Sequence, residues 1–258
     1  MSRFCVAKEL ETGKIVGLKI LDLEKTRFHE NRFKGLDKPT EGEIAVALKH
    51  PNIVETYEHG LTNDGAQYLV MELLGPGLNS LLVERHKTLL ANRVQYIRQA
   101  AEALAVVHEA GLIHRDICPR NYLVTRDGKT IKLTDFGLTV PAMPEFMKPG
   151  NRTGTPNYMA PELVRRQQTD QRLDVFAFGV TAYEMCTFEL PWPSGETGLA
   201  ALTHNQPPTD VRKHCPGIHP ERATAIHSCL QPKVDERCES MEAFLHRIRG
   251  VRAFELKL

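Results

Sequence analysis

The chain changes character at Gly75-Pro76-Gly77. Before that point apolar residues cluster in short, branched runs bounded by turn residues. After it they recur at helical spacing. This predicts a small strand-rich piece, residues 1–74, joined by a hinge to a larger helix-rich piece, residues 75–258. The class is α+β with two lobes, and the cleft between two such lobes is a favoured place for a ligand. At 258 residues and 41% hydrophobic content the chain can bury a core without disulfide or metal staples. A formal charge of +1 gives no electrostatic case for nucleic acid or an anionic membrane.

Residues 4–10 and 14–21 predict two strands about a Thr12-Gly13 turn. Residues 53–58 and 67–72 predict two more, flanking Thr62-Asn63-Asp64-Gly65. Between the pairs, Thr40 suits the N-cap of a helix from Glu41 to Lys49. Beyond the hinge, Leu90, Val94, Ile97, Ala101, Leu104 and Val107 form one apolar stripe that Gly111 ends. Residues 122–125 and 130–134 predict a hairpin, and 138–158, rich in Pro, Gly, Thr and Asn, a long surface loop. Residues 171–187 are apolar on all sides, which predicts a buried central helix.

The six cysteines form no C-x-x-C pair, so they read as reduced, mostly buried thiols in a reducing compartment. MSRFCVAKEL lacks the apolar core of a signal peptide, and the most apolar stretch, Val175 to Phe188, is too short to span a bilayer. The expected location is cytoplasmic, with no membrane segment.

The chemistry concentrates after the predicted stripe helix. His114-Arg115-Asp116 is followed by Asn121, and the hairpin leads into Asp135-Phe136-Gly137. Asp116 can accept a proton from a hydroxyl nucleophile. Asn121 and Asp135 are hard oxygen donors of the kind that hold Mg2+ on a polyphosphate.

In these motifs the chain resembles the eukaryotic-type Ser/Thr protein kinase domain over nearly its full length. V-G-L-K ends at Lys19, H-R-D-I-C-P-R-N spans His114 to Asn121, and D-F-G starts at Asp135. G-T-P-N-Y-M-A-P-E spans Gly154 to Glu162, and D-V-F-A-F-G spans Asp174 to Gly179. The resemblance implies a protein-kinase-like fold and an ATP- and Mg2+-dependent transfer to protein Ser/Thr hydroxyls. A module on the same fold that binds without transferring is the alternative.

By the same resemblance Lys19 holds the phosphates and pairs with a helix glutamate, Glu41, with Glu43 as competitor. Met71 backs the adenine pocket, the backbone of Glu72 and Leu74 pairs with the base, and Phe4, Gly17 and Leu123 sandwich it. Asp116 is the catalytic carboxylate, Asn121 and Asp135 the metal ligands. Thr155 contacts Asp116, Asp174 braces the catalytic loop, and Arg237 pairs with Glu162. The partners are ATP and a protein substrate; nothing in the sequence speaks to oligomeric state.

Two departures stand out. The Thr12-Gly13 turn sets a register that puts Ser2 at the last glycine of the family's glycine-rich loop. The small lobe is therefore expected without its first strand and the loop's phosphate-covering amides, which predicts weaker ATP binding. A fragment of a longer protein, a misassigned start and a true truncation all fit. Second, Cys118 stands where Ser/Thr kinases carry lysine. Arg120, two residues on, can supply the missing charge at the γ-phosphate. Arg115 suggests regulation by an activation-loop phosphate. Its usual position falls on Asn151, with Thr153 and Thr139 the nearest hydroxyls and Thr153 the expected site.

Overall fold

The structure is a computed structural model and describes residues 2–150, 152–192 and 203–251. Its small lobe is a four-stranded antiparallel sheet of β1 (Arg3–Lys8), β2 (Ile15–Ile20), β3 (Thr56–Leu61) and β4 (Gln67–Met71), ordered β1-β2-β4-β3. Gly13 makes the β1–β2 turn at φ 74°, a conformation that costs glycine nothing. Between β2 and β3 lie α1 (Leu23–Asn31) and α2 (Glu41–Ala47). Ile44, Ala45 and Leu48 from α2 and its end join Leu69 and Met71 of β4 in the core.

The third strand begins later than the pattern indicates. Ile53 and Val54 belong instead to a connection between lobes: Ile53 bridges Leu133 in parallel, and the Val54 N–H donates to the Leu133 carbonyl at 2.9 Å. Those two branched residues look like strand because they are buried and extended, but their partner lies outside the small sheet.

The large lobe is helical. It holds α3 (Leu78–Val83), α4 (Lys87–Glu109), α5 (Pro161–Val164), α6 (Arg172–Thr187), α7 (Val211–His214), α8 (Pro220–Cys229) and α9 (Met241–Ile248). It also holds two small ladders, β5 (Leu112–Ile113) with β8 (Val140–Pro141) and β6 (Tyr122–Val124) with β7 (Ile131–Leu133). α6 is buried along nearly its whole length, as its all-round apolar composition predicts.

The stripe of α4 is out of phase at its start. Leu90 is 39% exposed, and the buried positions there are Leu89, Arg93 and Tyr96. Arg93 and Tyr96 can turn inward because their polar ends find the Cys186 and Gly128 carbonyls at 2.9 and 2.6 Å. Residues 138–158 are not wholly a surface loop: β8 pairs with β5, and Thr139, Val140, Phe146 and Met147 are buried.

Glu162 at the start of α5 and Arg237 near the C-terminus form the predicted bidentate pair, at 2.7 and 2.9 Å, almost without solvent. Cys5 is exposed and the other five cysteines are buried and free. Among the described residues no helix is long and apolar enough to cross a membrane.

Candidate active site

Lys19 sits on β2, paired with Phe4 on one side and Leu69 on the other, so its backbone is fixed from both flanks. Its Nζ donates to Glu41 Oε1 at 2.6 Å and to Asp135 Oδ1 at 3.0 Å. Burial alone would lower the Lys19 pKa; the two carboxylates outweigh it and keep the ammonium charged.

Local chemistry settles which glutamate meets it. Thr40 caps α2 by accepting from the Glu43 N–H, and Glu43 reaches back to the Thr40 N–H at 2.7 Å. Glu43 is spent on that capping box, and Glu41, two positions earlier, turns into the cleft. The T-x-x-E signature was legible in the sequence and would have separated the two acids. Gly42 lets α2 seat against β3, since a Cβ there would lie 2.5 Å from His59 Cβ.

Across the cleft, Asp174 at the start of α6 accepts the backbone N–H groups of His114 and Arg115, at 2.7 and 2.8 Å, and is fully buried. It holds Arg115 at φ 69°, the turn that presents Asp116. One oxygen of Asp116 is occupied: Oδ1 accepts the Thr155 N–H and O–H at 2.8 and 2.7 Å. Among the described residues Oδ2 receives only Asn121 Nδ2, at 3.2 Å. The same amide holds the Asp116 carbonyl at 2.7 Å.

Arg120 donates to Thr155 Oγ1 at 3.0 Å and is exposed. Arg120 thereby stands beside Thr155, which in turn holds Asp116. Cys118 is buried with its Sγ 3.6 Å from Thr155 Oγ1, and burial, then the Asp116 charge, push its pKa up. The thiol stays neutral.

Asp135 adopts φ 66°, and Phe136 is buried edge-on against His114 at 5.3 Å. Burial would raise the Asp135 carboxyl, but Lys19 holds it below its ordinary value. Its side chain is 47% exposed and lines the cleft. Asp135 and the Asn121 amide oxygen are two hard donors. Among the described residues no cluster of three or more His, Cys, Asp or Glu is gathered for a metal. That fits Mg2+, which takes one or two protein oxygens and completes its shell with phosphate and water.

At the other end of the cleft Met71 is buried, and Leu74 and Leu123 are half-buried. The Glu72 N–H is used by the Glu55 carbonyl at 2.9 Å, and its carboxylate by Lys132 at 2.5 Å. These contacts fix the hinge strand. Phe4 lies across Gly17: a Cβ on Gly17 would meet its ring at 2.7 Å and Met71 Cγ at 3.3 Å.

Sequence reasoning missed a cavity of about 300 Å³ bordered by Cys118 and Arg120. Leu82, Arg120, Tyr158, Glu184 and Phe188 line it, and the Tyr158 hydroxyl donates to Glu184 at 2.6 Å. These residues come from separate elements, and no local pattern joins them. Of the candidate phosphosites, Asn151 lies outside the described residues, Thr139 is fully buried, and the Thr153 hydroxyl is buried without a hydrogen bond. Burial, then the nearby Arg32, pushes Arg115 down to about 10.

Comparison with known proteins agrees with this geometry. The family model described as the protein kinase domain matches residues 1–248. The serine/threonine-protein kinase pkn3 of Myxococcus xanthus is 31% identical over 97% of this chain and 48% of its own length. A probable serine/threonine-protein kinase of Clostridium acetobutylicum is 31% identical over 96% of this chain and 38% of its own. The serine/threonine-protein kinase PAK mbt of Drosophila melanogaster is 31% identical over 95% of this chain and 34% of its own. The chain therefore spans less than half the length of these relatives.

Proposed function

The chain belongs to the protein kinase family, and on that premise we propose that it transfers the γ-phosphoryl group of Mg-ATP to serine or threonine hydroxyls of proteins. The observation that carries this reading is the joint placement of Lys19, Glu41, Asp135 and Asp116 around one cleft. The G-T-P-N-Y-M-A-P-E segment and the Ser/Thr kinases among its relatives support a hydroxyl of that class.

Mg-ATP supplies the phosphoryl group and the divalent charge that offsets its oxygens. The chain supplies position and proton transfer. Phe4, Gly17, Met71 and Leu123 enclose the base, with the Glu72 carbonyl and Leu74 N–H for its edge. Lys19, held charged by two carboxylates, faces the phosphates. Asn121 and Asp135 offer the oxygens for Mg2+. Asp116 keeps Oδ1 on Thr155 and has Oδ2 for the acceptor proton.

Transfer of labelled γ-phosphate to a generic Ser/Thr substrate tests the reading. Asp116→Asn should cut the rate by roughly 10²- to 10⁴-fold while nucleotide binding persists. One observation favours a second reading, a binding module without transfer: Cys118 is a neutral, buried thiol, which leaves Arg120, held on Thr155 at 3.0 Å, to bring the charge beside Asp116. Wild-type protein that binds Mg-ATP and labels nothing would select it.

A further inference from the structure

α1 has no apolar reason to be where it is. None of its nine residues is buried, and an isolated helix of that length is marginal in water. Its anchors are polar. Asp22 caps it by accepting the Lys25 N–H at 3.0 Å, and Glu30 accepts from Gln67 Nε2 at 2.8 Å. So held, it turns Lys25, Thr26 and His29 toward a cavity of about 350 Å³. Lys19, Asp116, Asp135 and Gly137 also line this cavity. Lys38, from the segment between α1 and α2, completes the near wall.

The near wall is rich in unspent cationic donors. Lys38 is half-buried, and its hydrogen bond is a long one, 3.4 Å to the adjacent Pro39 carbonyl. Among the described residues no salt bridge engages Lys25 or Lys38. Burial, then Arg32, Lys38 and Lys25, hold His29 below its ordinary pKa. Among the described residues the acids facing Lys38 are Glu30, which Gln67 holds at 2.8 Å, and Glu41, which Lys19 holds at 2.6 Å. Such a wall favours an anion with several acceptor oxygens, continuous with the space between Lys19, Asp135 and Asp116. The terminal phosphate of a nucleotide meets that description.

Resting on the kinase reading above, we infer that Lys25, with Thr26 and Lys38 beside it, holds the terminal phosphate of the bound nucleotide from the α1 side of the cleft. Lys25 is exposed and alanine is the better helix former, so Lys25→Ala leaves α1 folded. The test is equilibrium binding of Mg-ATP and Mg-ADP by calorimetry to the parent chain with Lys25 intact, to Lys25→Ala and to Lys25→Arg. All three carry Thr153→Ala, so that no phosphate on that residue competes for the wall. A charge-assisted contact to the terminal phosphate predicts that Lys25→Ala weakens Mg-ATP by about tenfold and leaves Mg-ADP within twofold. Lys25→Arg should restore most of the difference. An ATP-to-ADP affinity ratio that Lys25→Ala leaves unchanged overturns this inference alone. A parent chain that binds neither nucleotide overturns the kinase reading and this inference with it.

Discussion

At the scale of single residues the site is a matter of which atoms are already spoken for. Glu43 is spent on a cap, so Glu41 meets Lys19; Oδ1 of Asp116 is spent on Thr155, which leaves Oδ2 the less engaged oxygen. Lys19, Asp116, Asn121 and Asp135 were legible because their motifs are short and their neighbours are fixed by a few residues of chain. The Arg120–Thr155 contact was not, since the two lie 35 residues apart. The Phe4–Gly17 contact gives a prediction at this scale. Gly17→Ala would bring a Cβ to 2.7 Å from Phe4 Cζ, the mobile end of an exposed ring, so the ring swings aside at little cost to folding. The loss falls on the nucleotide. Calorimetric titration should show ATP affinity falling roughly 3- to 10-fold, the equivalent of an aromatic stacking contact of about 0.5–1.5 kcal/mol, with a thermal midpoint close to that of wild type.

At the scale of elements, those with an apolar period were readable and those held by polar contacts were not. α6 shows itself by composition, whereas α1 buries nothing and leaves no periodic trace. The start of α4 was misphased for a related reason: Arg93 and Tyr96 occupy core positions because carbonyls receive them, which a hydrophobic count does not register. α2 carries the prediction. Its seat against β3 depends on Gly42, where a Cβ would lie 2.5 Å from His59 Cβ. His59 Cβ belongs to a strand and cannot swing away, so Gly42→Ala must lift the helix and lengthen the 2.6 Å Lys19–Glu41 contact. Alanine is the better helix former by about 1 kcal/mol, but overpacking costs about 1–3 kcal/mol. The expected result is a lower denaturation midpoint and a phosphate-transfer rate reduced by about tenfold or more. Unchanged rate and stability would show that α2 slides along the sheet without consequence.

At the scale of the whole molecule, the two-lobed plan was legible in the change of pattern at Gly75, and the long-range fastenings were only partly so. The Glu162–Arg237 pair was predicted by resemblance, and its burial makes it a sensitive point. Arg237→Ala strands the Glu162 carboxylate and also frees the Arg172 and Gln231 carbonyls that Arg237 holds at 2.8 and 3.0 Å. Breaking a buried pair from one side costs about 3–5 kcal/mol. In a chain of this size that is a fall in Tm of roughly 10 °C, readable by calorimetry. The lobe-to-lobe fastening at Ile53 and Val54 was hidden, because its partner Leu133 lies in the other lobe and in a strand of three residues. It has a mechanical side. β7 is hydrogen-bonded to the small lobe through Asn52 and Val54 at 2.8 and 2.9 Å, and Asp135 follows two residues after its end. Any tilt of the small lobe loads that strand directly. Asp116, by contrast, is bolted through its neighbours' backbone to Asp174 in the central helix. Of these two cleft carboxylates, one is geared to the upper half of the machine and the other to its bed, and the gap between them is set by how far the halves are tilted.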